Sequence, residues 1–247
     1  MANLVIDVGN TLIKVAVFRH DELLQFEQYQ AADADTLLGL IGKYDVQKAI
    51  ISSVRKETEA WREVIKKKID VLDFTVDMAK TITNRYKTPE TLGPDRIATV
   101  AGAHKLYPGK SSLVIGAGTA ITYDYVDAAG NYFGGSISPG LNMRYKALNY
   151  YTGLLPLINA DDKFNESYGS DTGSAIRSGV QNGIKYELTG FIESYSRDTQ
   201  DLNIILTGGD SIFFDSLLKN SIFATCIKNE PYLVLKGLNA VIQYTND

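Results

Sequence analysis

Two short apolar runs of the same design begin two halves of the chain. Leu4-Val5-Ile6-Asp7-Val8-Gly9-Asn10-Thr11 is echoed by Leu113-Val114-Ile115-Gly116-Ala117-Gly118-Thr119-Ala120. Each reads as a buried strand ending in a glycine turn. Alternating positions follow, Ile13, Val15 and Val17 in the first half and Ile121, Tyr123 and Tyr125 in the second, and a period of two is strand periodicity. A polar turn then leads into another candidate strand, through His20-Asp21-Glu22 in one half and Asp127-Ala128-Ala129-Gly130-Asn131 in the other. The pattern predicts two β-meanders with glycine-bearing first turns.

Farther along each half, a helical segment leads to an isolated apolar strand, at Ala49-Ile50-Ile51-Ser52-Ser53 and at Asn203-Ile204-Ile205-Leu206-Thr207-Gly208-Gly209. From Gly173 to Asp198, Ile176, Val180, Ile184, Leu188, Ile192 and Tyr195 recur at three- to four-residue steps, the signature of an amphipathic helix. Another helix is predicted to open at Pro94 and to stop near Tyr107-Pro108-Gly109, and no low-complexity linker separates the halves. The expected organisation is therefore a duplicated α/β chain, with an N-terminal lobe over 1–108 and a C-terminal lobe over 109–247.

Composition narrows the function. At 247 residues the chain can bury a substantial core, and 45% hydrophobic with 22% charged residues is ordinary for a globular protein. A net charge of −4 argues against a nucleic-acid surface. The basic run Lys66-Lys67-Lys68 closes a predicted helix whose apolar face is marked by Trp61, Val64, Ile65 and Ile69, so it reads as a solvated helix face. One cysteine, Cys226, allows no internal disulfide and has no zinc-type companion, which fits a reducing compartment. The first residues lack a charged signal-peptide region, and no stretch approaches the roughly 20 apolar residues of a membrane span. A cytoplasmic protein without membrane association is expected.

The turn Asp7-Val8-Gly9-Asn10-Thr11 carries the most chemistry. It sets a carboxylate at a strand's C-terminal end, a glycine that lets the backbone approach a ligand, and two side chains able to bond phosphate oxygens, with Lys14 on the next strand. Backbone N–H groups of such a turn can cradle phosphates, and Asp7 can hold Mg²⁺ directly or through water. A plain tight hairpin shaped by Asn10 suits the same residues. The partial copy at Gly116–Thr119 favours the functional reading, in which two phosphate turns, one from each lobe, clamp a nucleotide. Thr91-Leu92-Gly93-Pro94-Asp95-Arg96 reads as a loop entering a helix. That puts Asp95 where the helix dipole favours the ionised carboxylate that a kinase base requires, and Arg96 can pair with an acidic substrate group. The bland alternative is that Asp95 caps the helix and Arg96 faces solvent. Three further segments carry similar pairs of readings. Thr172, before the second long helix, is an N-cap or a ligand contact; Gly134–Gly140 is a close backbone or ligand approach or a simple turn; Thr207-Gly208-Gly209 is an adenosine site or a strand-to-helix turn.

Competing motifs fare worse. Gly109-Lys110-Ser111 resembles a P-loop tail, but His104 stands where its first glycine belongs and a strand follows. Gly116-Ala117-Gly118 opens like a dinucleotide fingerprint, yet Ile121 occupies the last small-residue position and the period of two denies the helix that motif needs. With only His20 and His104 present, a histidine-based hydrolase or metal site has little support.

Together these residues resemble the type III pantothenate kinase family, within the acetate and sugar kinase, heat-shock ATPase and actin superfamily, over nearly the whole chain. The first phosphate motif of that family corresponds to Asp7, Val8, Gly9, Asn10, Thr11, Leu12, Ile13 and Lys14, and its G-x-D-R motif to Gly93-Pro94-Asp95-Arg96. The second phosphate motif, D-x-G-T-A, corresponds to Gly116–Ala120, and G-G-x-I-x-P-G to Gly134–Gly140. The resemblance implies two duplicated ribonuclease H-like lobes of the actin-like ATPase fold, each a mixed β-sheet flanked by helices. It also implies transfer of the ATP γ-phosphoryl group to pantothenate, the first step toward coenzyme A. In that picture Asp95 is the base and Asp7 serves Mg²⁺. Asn10, Thr11, Lys14, Gly118 and Thr119 lie at the nucleotide, and Tyr86, Gly93, Pro94, Arg96 and Thr172 lie near pantothenate. A homodimer is implied as well. One position departs from the pattern: Gly116 stands where the family has an aspartate associated with K⁺ or NH₄⁺, which puts the monovalent cation in doubt. That departure also admits an alternative, a catalytically weakened nucleotide-binding accessory protein, against which the presence of Asp7, Asp95 and Arg96 argues.

Overall fold

The structure is a computed structural model that describes residues 1–55 and 59–244. The chain forms two compact units. The first comprises Met1–Pro108, Gly130–Phe133 and the segment from Tyr232 onward; the second comprises Gly109–Ala129 and Gly134–Pro231. Among the described residues, no helix is long and apolar enough to cross a membrane.

In the first unit the predicted meander is β1 (Ala2–Val8), β2 (Ile13–Arg19) and β3 (Glu22–Tyr29), joined antiparallel. Helix α1 (Ala34–Tyr44) is capped by Asp33, whose side chain accepts from the Thr36 N–H, and leads to β4 (Val46–Ser53), which pairs parallel with β1. Helix α2 (Trp61–Lys66) and β5 (Asp70–Asp73) complete a sheet of order β3-β2-β1-β4-β5. The short β6 (Thr83–Asn84) pairs with Asn131 and Tyr132, and α3 (Pro94–Leu106) opens at the expected proline.

The apolar alternation decides which way this sheet faces. Leu4, Ile6 and Val8 of β1 join Ile13, Val15 and Val17 of β2 and Ala49 and Ile51 of β4 in one core, packed on Leu37, Leu40 and Ile41 of α1 and Trp61 and Ile65 of α2. Val64, expected on the apolar face of α2, is exposed instead. Six helical residues bury only one narrow stripe, and the buried neighbour of Trp61 is Arg62, held by Asp73 at 2.9 Å.

In the second unit β7 (Ser112–Ala117) and β8 (Ala120–Val126) form an antiparallel pair, followed by β9 (Asn131–Pro139), whose first three residues belong to the first unit, and α4 (Leu141–Tyr151). The expected long helix is interrupted: α5 (Thr172–Arg177) passes through a π-helical turn at Ser178–Asn182 into α6 (Gly183–Asp198). The predicted stripe still holds, with Ile176, Val180, Ile184, Leu188 and Ile192 buried and Tyr195 stacked on Tyr125. The turn accommodates Gln181, whose buried amide bonds the Asp161 backbone N–H and C=O and the Tyr145 hydroxyl. Strand β10 (Asn203–Thr207), helix α7 (Ser211–Leu218) and β11 (Ile227–Asn229) follow, and the sheet reads β9-β8-β7-β10-β11, with the short β6 added beyond β9. That is the order of the first sheet repeated, so the faint sequence repeat is a repeat of topology.

The final helix, α8 (Leu233–Tyr244), belongs to the first unit, although the expected C-terminal lobe ran through 247. It packs on α3 and on the face of β1 opposite α1. Its Asn239 carries two roles there, accepting from Asn3 Nδ2 at 3.4 Å and donating to the His20 carbonyl at 2.7 Å. Nothing local in the sequence marks that partnership, because the bonded residues lie at opposite ends of the chain.

Candidate active site

Asp7 is the penultimate residue of β1, the central strand of its sheet, and it projects on the face shared with Asn3 and α8. Its side chain is buried, at 4% exposure. Oδ2 meets Lys14 Nζ at 3.5 Å, while Oδ1 is buried without a hydrogen-bond partner. The turn beyond it, residues 9–12, is closed by the Gly9 N–H donating to the Leu12 carbonyl at 3.1 Å. Asn10 and Thr11 stand exposed at its tip, and Lys14 is half-buried at the start of β2. Val8 and Ile13 are sunk in the core, so only their backbone is available to a ligand.

Burial pushes the Asp7 carboxyl above its ordinary value of 3.8, and the charge and hydrogen bond of Lys14 only partly offset that rise. An unpaired oxygen on a buried carboxylate fits a divalent cation such as Mg²⁺, which takes one or two carboxylates and fills its remaining positions with water and phosphate oxygens. Among the described residues, no cluster of three or more His, Cys, Asp or Glu forms a protein-only cage.

Two backbone braces that the sequence did not reveal steady this turn. The Val54 N–H donates to the Val8 carbonyl at 3.1 Å, and Arg55 Nε donates to the Gly9 carbonyl at 2.9 Å. Arg55 follows an apolar strand and looks like any exposed cation, so only the β1–β4 register exposes its role.

The second group in this unit surrounds the start of α3. Gly93 is the N-cap residue and Pro94 the first helical residue, as predicted. Asp95 Oδ1 accepts from the Arg96 N–H at 3.0 Å, so the carboxylate does satisfy a first-turn donor. Arg96, however, does not face solvent: it is buried at 7% exposure, with its guanidinium 5.7 Å from the Tyr86 ring. Tyr86 in turn stacks on Tyr132. Tyr86 and Arg96, chosen from separate segments, thus meet.

In the second unit, Gly118 and Thr119 form the β7–β8 turn, and two other glycine-bearing segments converge on it. A Cβ on Gly140 would lie 2.3 Å from the Gly118 carbonyl oxygen, and one on Gly208, which has φ +99°, would lie 2.3 Å from that of Ala117. Only glycine permits these approaches. The Gly140 N–H donates to the Thr119 carbonyl and the Asp210 N–H to that of Ala117. Thr207-Gly208-Gly209 and Gly134–Gly140 are therefore gathered at the second turn by backbone packing. The end of β9 is further tied down by Arg144, which donates to the Pro139 carbonyl and Ser138 Oγ at 2.9 Å and pairs with Glu187, itself bonded by the Tyr123 hydroxyl. This network spans four elements and leaves no local signal.

One expectation needs adjusting. Thr172 is not the cap of α5: Asp171 is, with Oδ1 accepting from the Ser174 N–H at 3.1 Å, which leaves Thr172 exposed at the first helical position. Gly116 has Thr122 and Thr207 as register partners, and a Cβ there would meet Thr122 Oγ1 at 2.6 Å. The buried Asp124 lies on the same face of β8 as Thr122, two residues along.

The state of Asp7 has a measurable consequence. An acid whose pKa rises on folding holds its proton more tightly in the native state, so its contribution favours the fold at low pH and turns against it as pH climbs past the ordinary value. Asp7→Asn should therefore raise the thermal midpoint of the nucleotide-free protein at neutral pH, and the advantage over wild type should shrink as pH falls into the carboxylate range. An unchanged or lowered midpoint at neutral pH would contradict this.

Comparison with known proteins agrees with this geometry. The family model for type III pantothenate kinase matches residues 3–194. Type III pantothenate kinase of Bacteroides fragilis strain YCH46 is 45% identical over 245 residues, covering 99% of this chain and 98% of that protein. That of Christiangramia forsetii is 44% identical over 244 residues, covering 98% of each. Among solved structures, the activator of the 2-hydroxyisocaproyl-CoA dehydratase from Clostridium difficile, with bound ADPNP, is similar at a TM-score of 0.59 and 12% identity, covering 100% of this chain and 96% of that one. The ROK hexokinase of Thermus thermophilus is similar at 0.51 and 12% identity, covering 98% of each. The solved structures share the actin-like ATPase and sugar kinase fold with this chain, and the full-length relatives set its kinship: the chain belongs to the type III pantothenate kinase family.

Proposed function

We propose that this protein transfers the γ-phosphoryl group of ATP to the primary hydroxyl of pantothenate, the first step of coenzyme A synthesis. The observation that carries the reading is the full-length match to relatives named type III pantothenate kinase, in a chain that keeps a buried, half-paired carboxylate at its first phosphate turn. The accessory-binder alternative is not favoured, since a binder has no use for a base on the α3 tip.

In this mechanism the backbone N–H groups of residues 10–12, the exposed Asn10 and Thr11 and the Lys14 ammonium hold the phosphates. Asp7 would hold Mg²⁺ directly or through water, and the ion would supply charge neutralisation at the phosphate oxygens. Asp95 accepts the proton of the pantothenate hydroxyl as its oxygen bonds to the γ-phosphorus and the bond from that phosphorus to the leaving oxygen of ADP breaks. Arg96 pairs with the pantothenate carboxylate, and Tyr86 shapes the same pocket with Gly93 and Pro94. The setting is cytoplasmic, where ATP is available.

Purified protein with Mg²⁺ and ATP should release ADP only when pantothenate is present, and Asp95→Asn should lower kcat by about two to four orders of magnitude. ADP release that ignores pantothenate, or a kcat untouched by Asp95→Asn, would count against the mechanism. Because Gly116 offers no carboxylate, we propose that K⁺ or NH₄⁺ stimulates only weakly, with Thr122, Asp124 and Thr207 as the oxygen-bearing side chains on that face. Activity should persist without monovalent cation, whereas a steep K⁺ dependence from zero would contradict this. We further propose a homodimer, supported by exposed apolar side chains such as Tyr151 and Leu154 in the second unit. Sedimentation should give twice the 27.2 kDa chain mass, and a monomer at assay concentrations would refute it.

A further inference from the structure

Asp7 is the middle of a polar row that crosses three adjacent strands. Its register partners are Lys14 on β2 and Ser52 on β4, and register partners on neighbouring strands project to the same face of a sheet. Lys14 engages Oδ2. On the other side, Ser52 is fully buried and its Oγ lacks a hydrogen-bond partner, as does Asp7 Oδ1. A buried polar atom without a partner is costly, and two of them abreast on one face form an arrangement that a stable fold alone does not call for. The buried residues just before Ser52 in β4, Ala49, Ile50 and Ile51, are all apolar, so the strand accepts apolar residues up to this point. The next hydroxyl, Ser53 Oγ, is already used, accepting from the Arg55 N–H.

We propose that Ser52 is a positioning residue for the divalent-cation end of the site: its hydroxyl orients the Asp7 carboxylate as that carboxylate takes up the cation that accompanies ATP. A donor on a ligating carboxylate limits its rotation and directs the remaining lone pairs toward the metal. Lys14 and Ser52 then hold Asp7 from its two flanks. This inference rests on the reading of Asp7 as the metal-binding carboxylate, and the experiment separates the two.

ADP is titrated calorimetrically into wild type, Asp7→Asn and Ser52→Ala, once with Mg²⁺ and once with EDTA, and the thermal midpoint of each nucleotide-free protein is measured. Mg²⁺ should tighten ADP binding to wild type, and Asp7→Asn should abolish that enhancement. Ser52→Ala should reduce it about tenfold, the weight of one hydrogen bond to a charged group, with affinity in EDTA unchanged. Its thermal midpoint should be equal or higher, because alanine removes an unpaired buried hydroxyl and little volume. Full enhancement in Ser52→Ala with loss in Asp7→Asn overturns the role of Ser52 alone. Full enhancement in Asp7→Asn overturns the metal role of Asp7 and this inference with it. A lowered midpoint in Ser52→Ala, with ADP weakened equally in Mg²⁺ and EDTA, marks a packing residue and also overturns the proposal.

Discussion

A carboxylate held out of water with only half its bonding capacity met is the constraint on which the first unit is built. Asp7 sits on the central strand, between two pairing neighbours, with apolar residues filling the opposite face of the sheet. Burial raises its proton affinity, and Lys14, itself partly exposed, is too weakly engaged at 3.5 Å to cancel that effect. Such a group weakens the nucleotide-free fold and favours whatever cation completes its coordination. On the proposed reading of Asp7, stability and function pull in opposite directions at this residue.

Duplication explains where the charge is placed. Asp7 has Lys14 and Ser52 as register partners; the corresponding strand of the second unit puts Gly116 between Thr122 and Thr207. The sheet order is repeated and the chemistry is not. The first row carries both an anion and a cation, whereas the second is neutral and made of small or hydroxyl-bearing residues. The second turn instead contributes closeness of backbone, through Gly140 and Gly208 against the carbonyls of residues 117–118. Gly116 thus stands at the position equivalent to Asp7, so the second sheet has no carboxylate where the first has one.

Much of this was legible in the sequence because it is local. Period-two runs located β1, β2, β7 and β8, Pro94 opened α3, and the three- to four-residue apolar steps marked the helical stretch from α5 to α6. Grouping Asp7 with Lys14 needed only a hairpin of known length, and placing Asp95 needed only a helix start. What was not legible depends on distance along the chain or on detail within a turn. The return of α8 to the first unit rests on Asn239 meeting Asn3 and His20, and the brace from Arg55 to Gly9 on a parallel register. The Arg144–Glu187–Tyr123 network joins three elements. Val64 was misplaced, and the cap alternative for Thr172 ruled out, at the scale of one helical position, where burial of Arg62 and capping by Asp171 decided the outcome.

The most direct test is a crystal structure of the protein with Mg²⁺, a non-hydrolysable ATP analogue and pantothenate. The account predicts the cation bound to Asp7 Oδ1, directly or through one water, and the acceptor hydroxyl within hydrogen-bonding distance of the Asp95 carboxylate. A cation held by other residues while Asp7 keeps only Lys14, or a pantothenate hydroxyl directed away from Asp95, would contradict it.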